Sequence, residues 1–327
     1  MASRNSLLVS RAPNGKRGPI MLGVVGDSAS GKTTLTAGIA KIVGENRVTT
    51  MCTDDYHRYD REERRSLPFT PLHPDCNYME IIEQHLQLFA DGEPILKPIY
   101  NHEHGTLDRP VLVTPQEYVV VEGLFGFYTK KMRDCFDVKV YLDPPEDVRR
   151  AWKIKRDVGK RNYTPEQVDA DLAKREPESE AFIRPQRNKA DIVVRFHPPG
   201  ADVDVDAGHY NVKLVLRPSL PHPYLAEIAS ATRTSKYEPI RFALARDRGQ
   251  PVDLLEIDGS VPMEVAAEAE GIIWEKMHQD GELNPDAIGL FAEGDTERSS
   301  GPLGLTQLLI VWQLQSARAE TIEDNLP

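Results

Sequence analysis

The chain has 327 residues, of which 40% are hydrophobic and 28% are charged, so it has the length of roughly two domains of ~100–200 residues and can bury a full core. Its 40 Lys and Arg against 51 Asp and Glu give a net charge of -11, which argues against nucleic acid or an anionic membrane as a partner. The three cysteines, Cys52, Cys76 and Cys135, form no CxxC pair, which suits a reducing, cytoplasmic compartment.

The predicted elements begin after residues 1–18, a basic stretch with several serines that we expect to form a flexible N-terminal arm. From Pro19 an apolar run, a Gly/Ser loop and a helical pattern predict strand, loop and helix. A second strand ends at the acids of TMCTDD, and YMEIIEQHLQLFADGE is a helix. EYVVVEG, DVKVYLD and ADIVVRF are further strands, with a basic helix, PPEDVRRAWKIKRDVGKR, before the last. Over residues 19–197 this alternation predicts an α/β core with a mainly parallel sheet.

The alternation of strands and helices ends after residue 197. YNVKLVLRPS, IRFALARD and VDLLEIDGSV are strand-like, with Arg-Gly-Gln-Pro as a hairpin turn between the last two, so antiparallel pairing is expected. MEVAAEAEGIIWEKM and GPLGLTQLLIVWQLQSARAE are helical patterns. We predict that residues 198–327 form a C-terminal α+β appendage packed on the core.

The strongest motif is a phosphate-binding loop, G-x-x-x-x-G-K-[ST], between the first strand and the first helix. Its residues, with the threonine that follows, are Gly26, Asp27, Ser28, Ala29, Ser30, Gly31, Lys32, Thr33 and Thr34. Backbone N–H groups of such a loop turn toward phosphate oxygens, and the helix N-terminus adds positive potential. Lys32 would bridge the outer phosphates of a nucleotide, and Thr33 would offer its hydroxyl to Mg²⁺. The motif predicts a three-layer sandwich of the P-loop NTPase type.

Phosphate loops serve motors, switches and kinases alike, so other residues must separate these classes. Asn188-Lys189-Ala190-Asp191 matches the base-reading motif of GTPases, but it precedes a strand where theirs follows one, and we interpret it as a coincidence. Glu122 ends the strand EYVVVEG without a DxxG switch. At the carboxyl end of a parallel strand this glutamate could hold Mg²⁺ through water. A solvated acid at the strand end is the alternative.

Two adjacent acids, Asp54 and Asp55, follow the second strand, where an acceptor substrate would bind. Successive side chains of a strand face opposite sides, so only one of the two is expected to face the pocket. A carboxylate there could accept the proton of a substrate hydroxyl during phosphoryl transfer, and an acidic turn pair is the alternative. The arginines just beyond suit either a phosphate clamp or a solvated loop. They are Arg58, Arg61, Arg64 and Arg65.

The basic helix carries its cations in one stripe. Arg149, Lys153, Arg156 and Lys160 stand at i, i+4, i+7 and i+11, and Arg161 adjoins them. This spacing places the four on one helix face. In a chain of net negative charge we favour a lid that closes cations over the transferring phosphate, with a solvated amphipathic face as the alternative.

Together these motifs resemble the phosphoribulokinase family. The resemblance covers residues 20–197 closely and rests on segments in a fixed order, namely GDSASGKTT, CTDDYHRYDR, TPLHPDCN, KPIYNHEHGTLDRP, VVVEGLFGFY, AWKIKRD and RPQRNKADIVV. It implies a Calvin-cycle kinase that uses ATP and Mg²⁺ to phosphorylate the small molecule ribulose 5-phosphate at its 1-hydroxyl. We also expect a cytoplasmic homodimer without nucleic-acid or membrane partners.

The resemblance assigns roles to individual residues. It makes Asp54 the general base and places Thr33, Glu122 and Asp54 at the metal. The substrate would be held by His57, Arg61, Arg64, Tyr100 and His102. Lys32, Lys153, Arg156 and Asp157 would serve catalysis and the lid, and Arg161 would contact the nucleotide.

One departure from the family pattern concerns regulation. Plant-type members carry a regulatory cysteine in the phosphate loop, and that position here is Ser30. Two other functions remain open. A uridine kinase would share the loop, the acceptor Asp and the lid, but its uncharged substrate has no need of the arginines between residues 58 and 65. A nucleotide-dependent switch without phosphoryl transfer has no need of Asp54.

Overall fold

The computed structural model describes residues 18–161, 163–200, 209–220, 225–233, 237–277, 284–293 and 296–323. Of the predicted N-terminal arm, residues 1–17 lie outside the described residues. The part of the chain that the structure describes has no helix long and apolar enough to cross a membrane.

The secondary structure alternates over the first part of the chain and becomes mixed in the second. The strands are β1 Ile20–Gly26, β2 Val48–Cys52, β3 Ile95–Asn101, β4 Thr106–Val113, β5 Tyr118–Gly123, β6 Val138–Leu142, β7 Ile192–His197, β8 Asn211–Leu216, β9 Ile240–Asp247, β10 Gln250–Ile257, β11 Leu290–Glu293 and β12 Thr296–Ser299. The helices are α1 Lys32–Val43, α2 Met79–Ala90, α3 Lys130–Asp134, α4 Glu146–Arg161, α5 Pro165–Glu178, α6 Leu225–Ala231, α7 Met263–Lys276 and α8 Gly301–Glu323.

Within the described residues, eight strands form the central sheet in the order β2-β5-β1-β6-β7-β8-β10-β9. The first five pair in parallel, and β8, β10 and β9 continue the sheet by antiparallel pairing. The hairpin predicted at Arg-Gly-Gln-Pro joins β9 to β10. The predicted α/β architecture, with a mainly parallel sheet and antiparallel strands toward the C-terminus, is therefore confirmed. Those C-terminal strands extend the core sheet itself.

The core lies on both faces of this sheet, because β1 is buried on both sides. Ile20, Leu22 and Val24 pack toward α1, α6, α7 and α8, whereas Met21 and Val25 pack toward α2 and α3. A continuous apolar strand is typical of a parallel sheet covered twice. On the first face α8 comes very close to α1, where a Cβ on Gly38 would lie 2.0 Å from Nε2 of Gln307.

One ionisable side chain, Glu270, is buried between the helices α7 and α8. Glu270 of α7 is 8% exposed, and a Cβ on Gly304 of α8 would lie 2.9 Å from its Oε1. Burial raises the pKa of Glu270 from 4.5 to about 7. Because the folded state favours the protonated form, this group's contribution to stability is complete below its unfolded pKa and is lost as the pH rises through about 7.

We expect Glu270→Gln to stabilise the protein at pH 8 by on the order of 2–3 kcal/mol, because the amide removes a buried charge without a change in size. At pH 5 the variant and the wild-type protein should unfold alike. Urea unfolding at both pH values measures this, and Glu268→Gln, on the exposed side of the same helix, is the control. Equal effects of the two substitutions at pH 8 would contradict the assignment.

Candidate active site

The predicted site residues meet at the carboxyl edge of the parallel strands. β1 leads into the phosphate loop, β5 ends at Glu122-Gly123, and β2 leads into a short 3-10 helix, Thr53–Tyr56. Because β5 lies between β1 and β2, Glu122 stands between the loop and Asp54. Ligands of open α/β sheets bind at this edge.

The phosphate loop depends on backbone conformations that glycine permits. Gly31 has φ +94°, and a Cβ on Gly26 would lie 2.8 Å from the carbonyl oxygen of Leu142. Ala29 also adopts a left-handed φ of 62°. The Lys32 ammonium donates to the carbonyl oxygens of Gly26 (2.9 Å) and Asp27 (2.8 Å). In this structure the lysine of the loop is therefore bound to carbonyl oxygens of the loop itself.

Thr33 and Glu122, which we predicted to hold Mg²⁺, are in contact. The Thr33 hydroxyl donates to Glu122 Oε1 (3.1 Å) and the Thr36 hydroxyl to Oε2 (3.4 Å). The pKa of Glu122 is raised above its ordinary value, mainly by burial. The Lys32 charge acts to lower this pKa, and the Asp54 charge acts to raise it. A hydroxyl and a carboxylate beside a phosphate loop are donors that suit Mg²⁺, which takes few protein ligands and keeps phosphate and water. No group of three or more His, Cys, Asp and Glu among the described residues could hold a metal alone.

The two adjacent acids have different environments. Asp55 forms an ion pair with Lys97 and accepts a hydrogen bond from the Tyr100 backbone N–H (3.1 Å), so it holds the β3–β4 hairpin. Asp54 Oδ1 is buried and has no hydrogen-bond partner among the described residues. An unsatisfied buried carboxylate oxygen is costly. The two acids therefore differ: Asp55 is held by the hairpin, and Asp54 keeps an unsatisfied oxygen in the part of the chain that the structure describes.

His57 is buried beside Asp54 and is held in one tautomer. Its Nδ1 lies 2.8 Å from Asn77 Oδ1, and both amide protons of Asn77 go to the carbonyl oxygens of Pro71 and His73. Asn77 Oδ1 must therefore accept, and His57 Nδ1 must donate. Burial lowers the pKa of His57 to about 4, although Asp54 acts to raise it. At neutral pH this imidazole is uncharged and presents Nε2 as an acceptor.

The other predicted substrate residues gather round the β3–β4 hairpin. Arg64 donates to the Tyr100 hydroxyl, and its guanidinium carbon lies 4.8 Å from the Tyr100 ring centre. The Tyr100 ring makes edge contacts with both His57 and His102, at centroid distances of 4.8 and 5.0 Å. Arg61 donates to the carbonyl oxygens of His102 (2.5 Å) and Glu103 (3.2 Å). Arg61 therefore braces the turn, whereas Arg64 lies at the cluster formed by His57, Tyr100 and His102.

The basic helix α4 crosses the phosphate loop. Arg149 lies 3.5 Å from Asp27 Oδ1 and donates to the Ser28 carbonyl oxygen (3.3 Å). A Cβ on Gly31 would lie 3.4 Å from the Trp152 ring. The Ser179 hydroxyl also holds the loop, because it donates a hydrogen bond to the Asp27 carboxylate. This end of α4 is buried against the loop.

Farther along α4 the predicted catalytic cations are paired. Lys153 donates to Asp157 (2.8 Å) and lies 3.0 Å from Asp171 of α5. Burial acts to raise the pKa of Asp157, but hydrogen bonds from Arg156 and Lys153 lower it to about 2. A fully solvated stripe is thus wrong for Arg149 and Lys153, which are 4% and 2% exposed. The side chains of Lys160 and Arg161, at the end of α4, lie outside the described residues.

Several residues that shape the site were not predicted. Asn77, Lys97 and Ser179 contact site residues that are distant from them in the sequence, so no local pattern predicts their roles. The helix α5 was missed although its start carries a signal. Thr164 and Gln167 form a capping box with Pro165 at the first turn, a pattern typical of helix N-termini.

Comparisons with known proteins agree with this geometry. Residues 21–203 match the model of the "Phosphoribulokinase / Uridine kinase family". A phosphoribulokinase of Synechocystis sp. is 35% identical over 73% of this chain and 76% of its own length. A chloroplastic phosphoribulokinase of Triticum aestivum is 32% identical over 74% of this chain and 67% of its own. The solved structure of a phosphoribulokinase from Rhodobacter spheroides has the same fold, with a TM-score of 0.56 at 17% identity, and covers 80% of this chain and 97% of that one.

The contrast between the adjacent acids predicts that the same substitution affects stability differently at the two positions. Asp55→Asn leaves the nearly buried Lys97 without its carboxylate, so we expect a loss of about 3 kcal/mol in the free energy of unfolding. Asp54→Asn breaks no hydrogen bond of the buried Oδ1 and should leave stability unchanged or slightly raised. Urea unfolding of the two variants measures this. A similar stability for both would contradict the distinction.

Proposed function

The chain belongs to the phosphoribulokinase/uridine kinase family, and we propose that it is an enzyme that transfers the γ-phosphoryl group of ATP to the 1-hydroxyl of D-ribulose 5-phosphate. The products are ribulose 1,5-bisphosphate and ADP, and the reaction serves carbon fixation in the Calvin cycle. The curated relatives that align over about three quarters of the chain are phosphoribulokinases, which supports this substrate.

The observation that carries the proposal is the buried carboxylate oxygen of Asp54, which has no hydrogen-bond partner among the residues that the structure describes. The charge of Asp54 acts on Glu122 of the nucleotide end, as does that of Lys32, and on His57, as does that of Arg64. We therefore infer that Asp54 lies between the nucleotide site and the arginines. A base between a nucleotide site and a cationic pocket suits a phosphorylated acceptor.

In the proposed reaction the substrate 1-oxygen forms a bond to the γ-phosphorus while the bond from that phosphorus to the β–γ bridging oxygen breaks. Asp54 takes the hydroxyl proton. His57, through Nε2, accepts a hydrogen bond from a second hydroxyl of the sugar. Lys32 leaves the loop carbonyls to bind the outer phosphates of ATP. Mg²⁺ held by Thr33 and Glu122, with Asp54 beside it, would supply charge neutralisation on those phosphates.

The lid residues would act after closure. Lys153 and Arg156 form ion pairs with Asp157, and a nucleotide phosphate would compete with that carboxylate for their N–H hydrogen bonds. We propose that the later turns of α4 move so that these cations reach the transferring group and Asp157 keeps them oriented. Arg161, at the end of α4, is proposed to contact the nucleotide.

We propose a homodimer, a state that suits the free edge of β9. This strand ends the described sheet, and its Leu244 is 82% exposed. Edge strands with exposed apolar side chains are ready to pair with another chain. A cytoplasmic location is proposed because all three cysteines are free.

A coupled assay of ADP release tests the activity. Ribulose 5-phosphate, uridine, pantothenate and ribose 5-phosphate are offered at equal concentration with ATP and Mg²⁺. Turnover of ribulose 5-phosphate well above the other three supports the proposal. Preference for uridine would assign the chain to the uridine kinase branch, and ATP hydrolysis indifferent to all four would favour a nucleotide switch.

We expect Asp54→Asn to lower kcat by ~10²–10⁴ because a general base contributes that much to rate. The KM for ATP should stay within about twofold, since a proton acceptor adds little to nucleotide affinity. Steady-state kinetics measure both values. Retention of more than about a tenth of wild-type kcat would show that another group takes the proton.

Activity should be insensitive to disulfide exchange. Ser30 occupies the loop position where the plant-type pattern has a cysteine, and burial, with Asp54 and Glu122 nearby, raises the pKa of the Cys52 thiol, which disfavours the reactive thiolate. Treatment with oxidised dithiothreitol and then reduced thioredoxin, with Cys52→Ser as control, should leave kcat unchanged. A reversible loss of activity together with an intramolecular disulfide in the peptide map would contradict this.

A further inference from the structure

The lid lysine, Lys153, is held between two carboxylates. Its ammonium donates to Asp157 of its own helix (2.8 Å) and lies 3.0 Å from Asp171 of α5. Lys153 is buried, so its ammonium is not accessible to a ligand where it lies. For Lys153 to reach a nucleotide phosphate, the ammonium must move, and at least one of these two contacts must break.

The two carboxylates respond differently to a movement of α4. Asp157 stands four residues after Lys153 on the same helix face, so it moves with the lysine. Asp171 belongs to a different helix. A movement of the later turns of α4 relative to α5 therefore keeps the contact with Asp157 and breaks the contact with Asp171.

The helix α5 is fixed on the core at its carboxyl end. Glu178, its last residue, accepts a hydrogen bond from the Thr70 backbone N–H (3.0 Å). The next residue, Ser179, donates to Asp27 of the phosphate loop. Because these contacts hold α5, Asp171 stays in place while the later turns of α4 move.

The ion pair between Lys153 and Asp171 can break without leaving either charge unpaired. Asp171 Oδ1 also accepts a hydrogen bond from Arg175 Nε (2.8 Å), and Asp171 is only half-buried. Lys153 keeps Asp157. Breaking a buried ion pair is very costly when it leaves one charge without a partner. Here each group keeps a partner of opposite charge, so the contact is weak enough to be reversible.

A second ion pair joins the same two helices at the surface. Arg150 Nε donates to Asp169 Oδ1 (2.6 Å), and the two side chains are 50% and 42% exposed. Exposed ion pairs contribute little to the free energy of a conformation. The helix α5 thus presents one carboxylate to a buried lysine and another to an exposed arginine of α4, which provides a matched control.

We propose that Asp171 is a positioning residue that restrains Lys153, and that their ion pair is an autoinhibitory contact which the γ-phosphate of ATP breaks as the lid closes. The inference rests on the proposed function for the role of Lys153 in phosphoryl transfer. A ligand shifts an equilibrium between two states only by its difference in affinity for them. The contact with Asp171 therefore weakens the apparent affinity for ATP.

The test is titration calorimetry of the full chain with Mg²⁺ and AMP-PNP, an ATP analogue that is not hydrolysed. For Asp171→Asn we expect the affinity to rise about three- to tenfold, because the amide removes the charge that holds Lys153 but still accepts a hydrogen bond from Arg175. ADP, which lacks the γ-phosphate, should gain less than about twofold. A merely structural role would predict weaker binding of both nucleotides.

Two further variants serve as controls. Asp169→Asn removes the same charge from the same helix and should leave the AMP-PNP affinity within about twofold of wild type. Asp171→Glu keeps the carboxylate and should return the affinity towards the wild-type value. An unchanged or weaker affinity in folded Asp171→Asn, or an equal gain in Asp169→Asn, would overturn the inference. Should Asp171→Asn not fold, Asp171→Ser replaces it.

Turnover of ribulose 5-phosphate separates this inference from the proposed function. If the wild-type protein does not phosphorylate the sugar but Asp171→Asn binds AMP-PNP more tightly, the proposed function fails and the autoinhibitory contact stands. If the wild-type protein phosphorylates the sugar and Asp171→Asn gains no affinity for AMP-PNP, the proposed function stands and the inference is wrong.

Discussion

The buried guanidinium of Arg149 holds the phosphate loop and the helix above it together. Its side chain is 5% exposed and lies against Asp27 and the Ser28 carbonyl of the loop and Glu146 of its own helix. A charge can stay in a protein interior only while oxygens surround it, and removing one partner of such a pair is far more costly than the pair is stabilising. The start of α4 is therefore fixed on the loop, and any closing motion must come from the later turns that carry Lys153 and Arg156.

Two carboxylates, Asp54 and Glu122, lie together at the nucleotide end of the site, and arginines lie at the opposite end. Asp54 raises the pKa of Glu122 and both act on Cys52, whereas Lys32 lowers the pKa of Glu122. A metal ion would offset the repulsion between the two carboxylates, which agrees with the oxygen ligands present. At the opposite end the neutral His57 separates the carboxylate from the arginines. The cleft thus presents a polarity that a molecule with a hydroxyl at one end and a phosphate at the other can match.

The parts of the site that could be predicted from sequence are those contained in a short stretch. The phosphate loop and Glu122 follow apolar strands, and local pattern is enough to place them. Asp54 and Asp55 could not be separated by residue pattern alone, because the difference lies in Lys97 of a hairpin that was not predicted. The neutral state of His57 depends in the same way on Asn77. The helix α5 was not predicted because only two of its residues, Val168 and Leu172, are buried, which is too few to give a clear apolar periodicity. Its capping box, in contrast, was visible in the sequence.

The packing of α8 on α1 has a consequence for the order of folding. The helix that follows the phosphate loop, α1, is covered by α8, and Gly38 of α1 packs closely against Gln307 of α8. On a ribosome the loop and its strand emerge long before α8 does. The apolar face of α1 must therefore stay uncovered while most of the chain is synthesised, and contacts between such distant parts form late. A nascent chain without α8 therefore presents this apolar face to solvent, where it can bind a chaperone or aggregate.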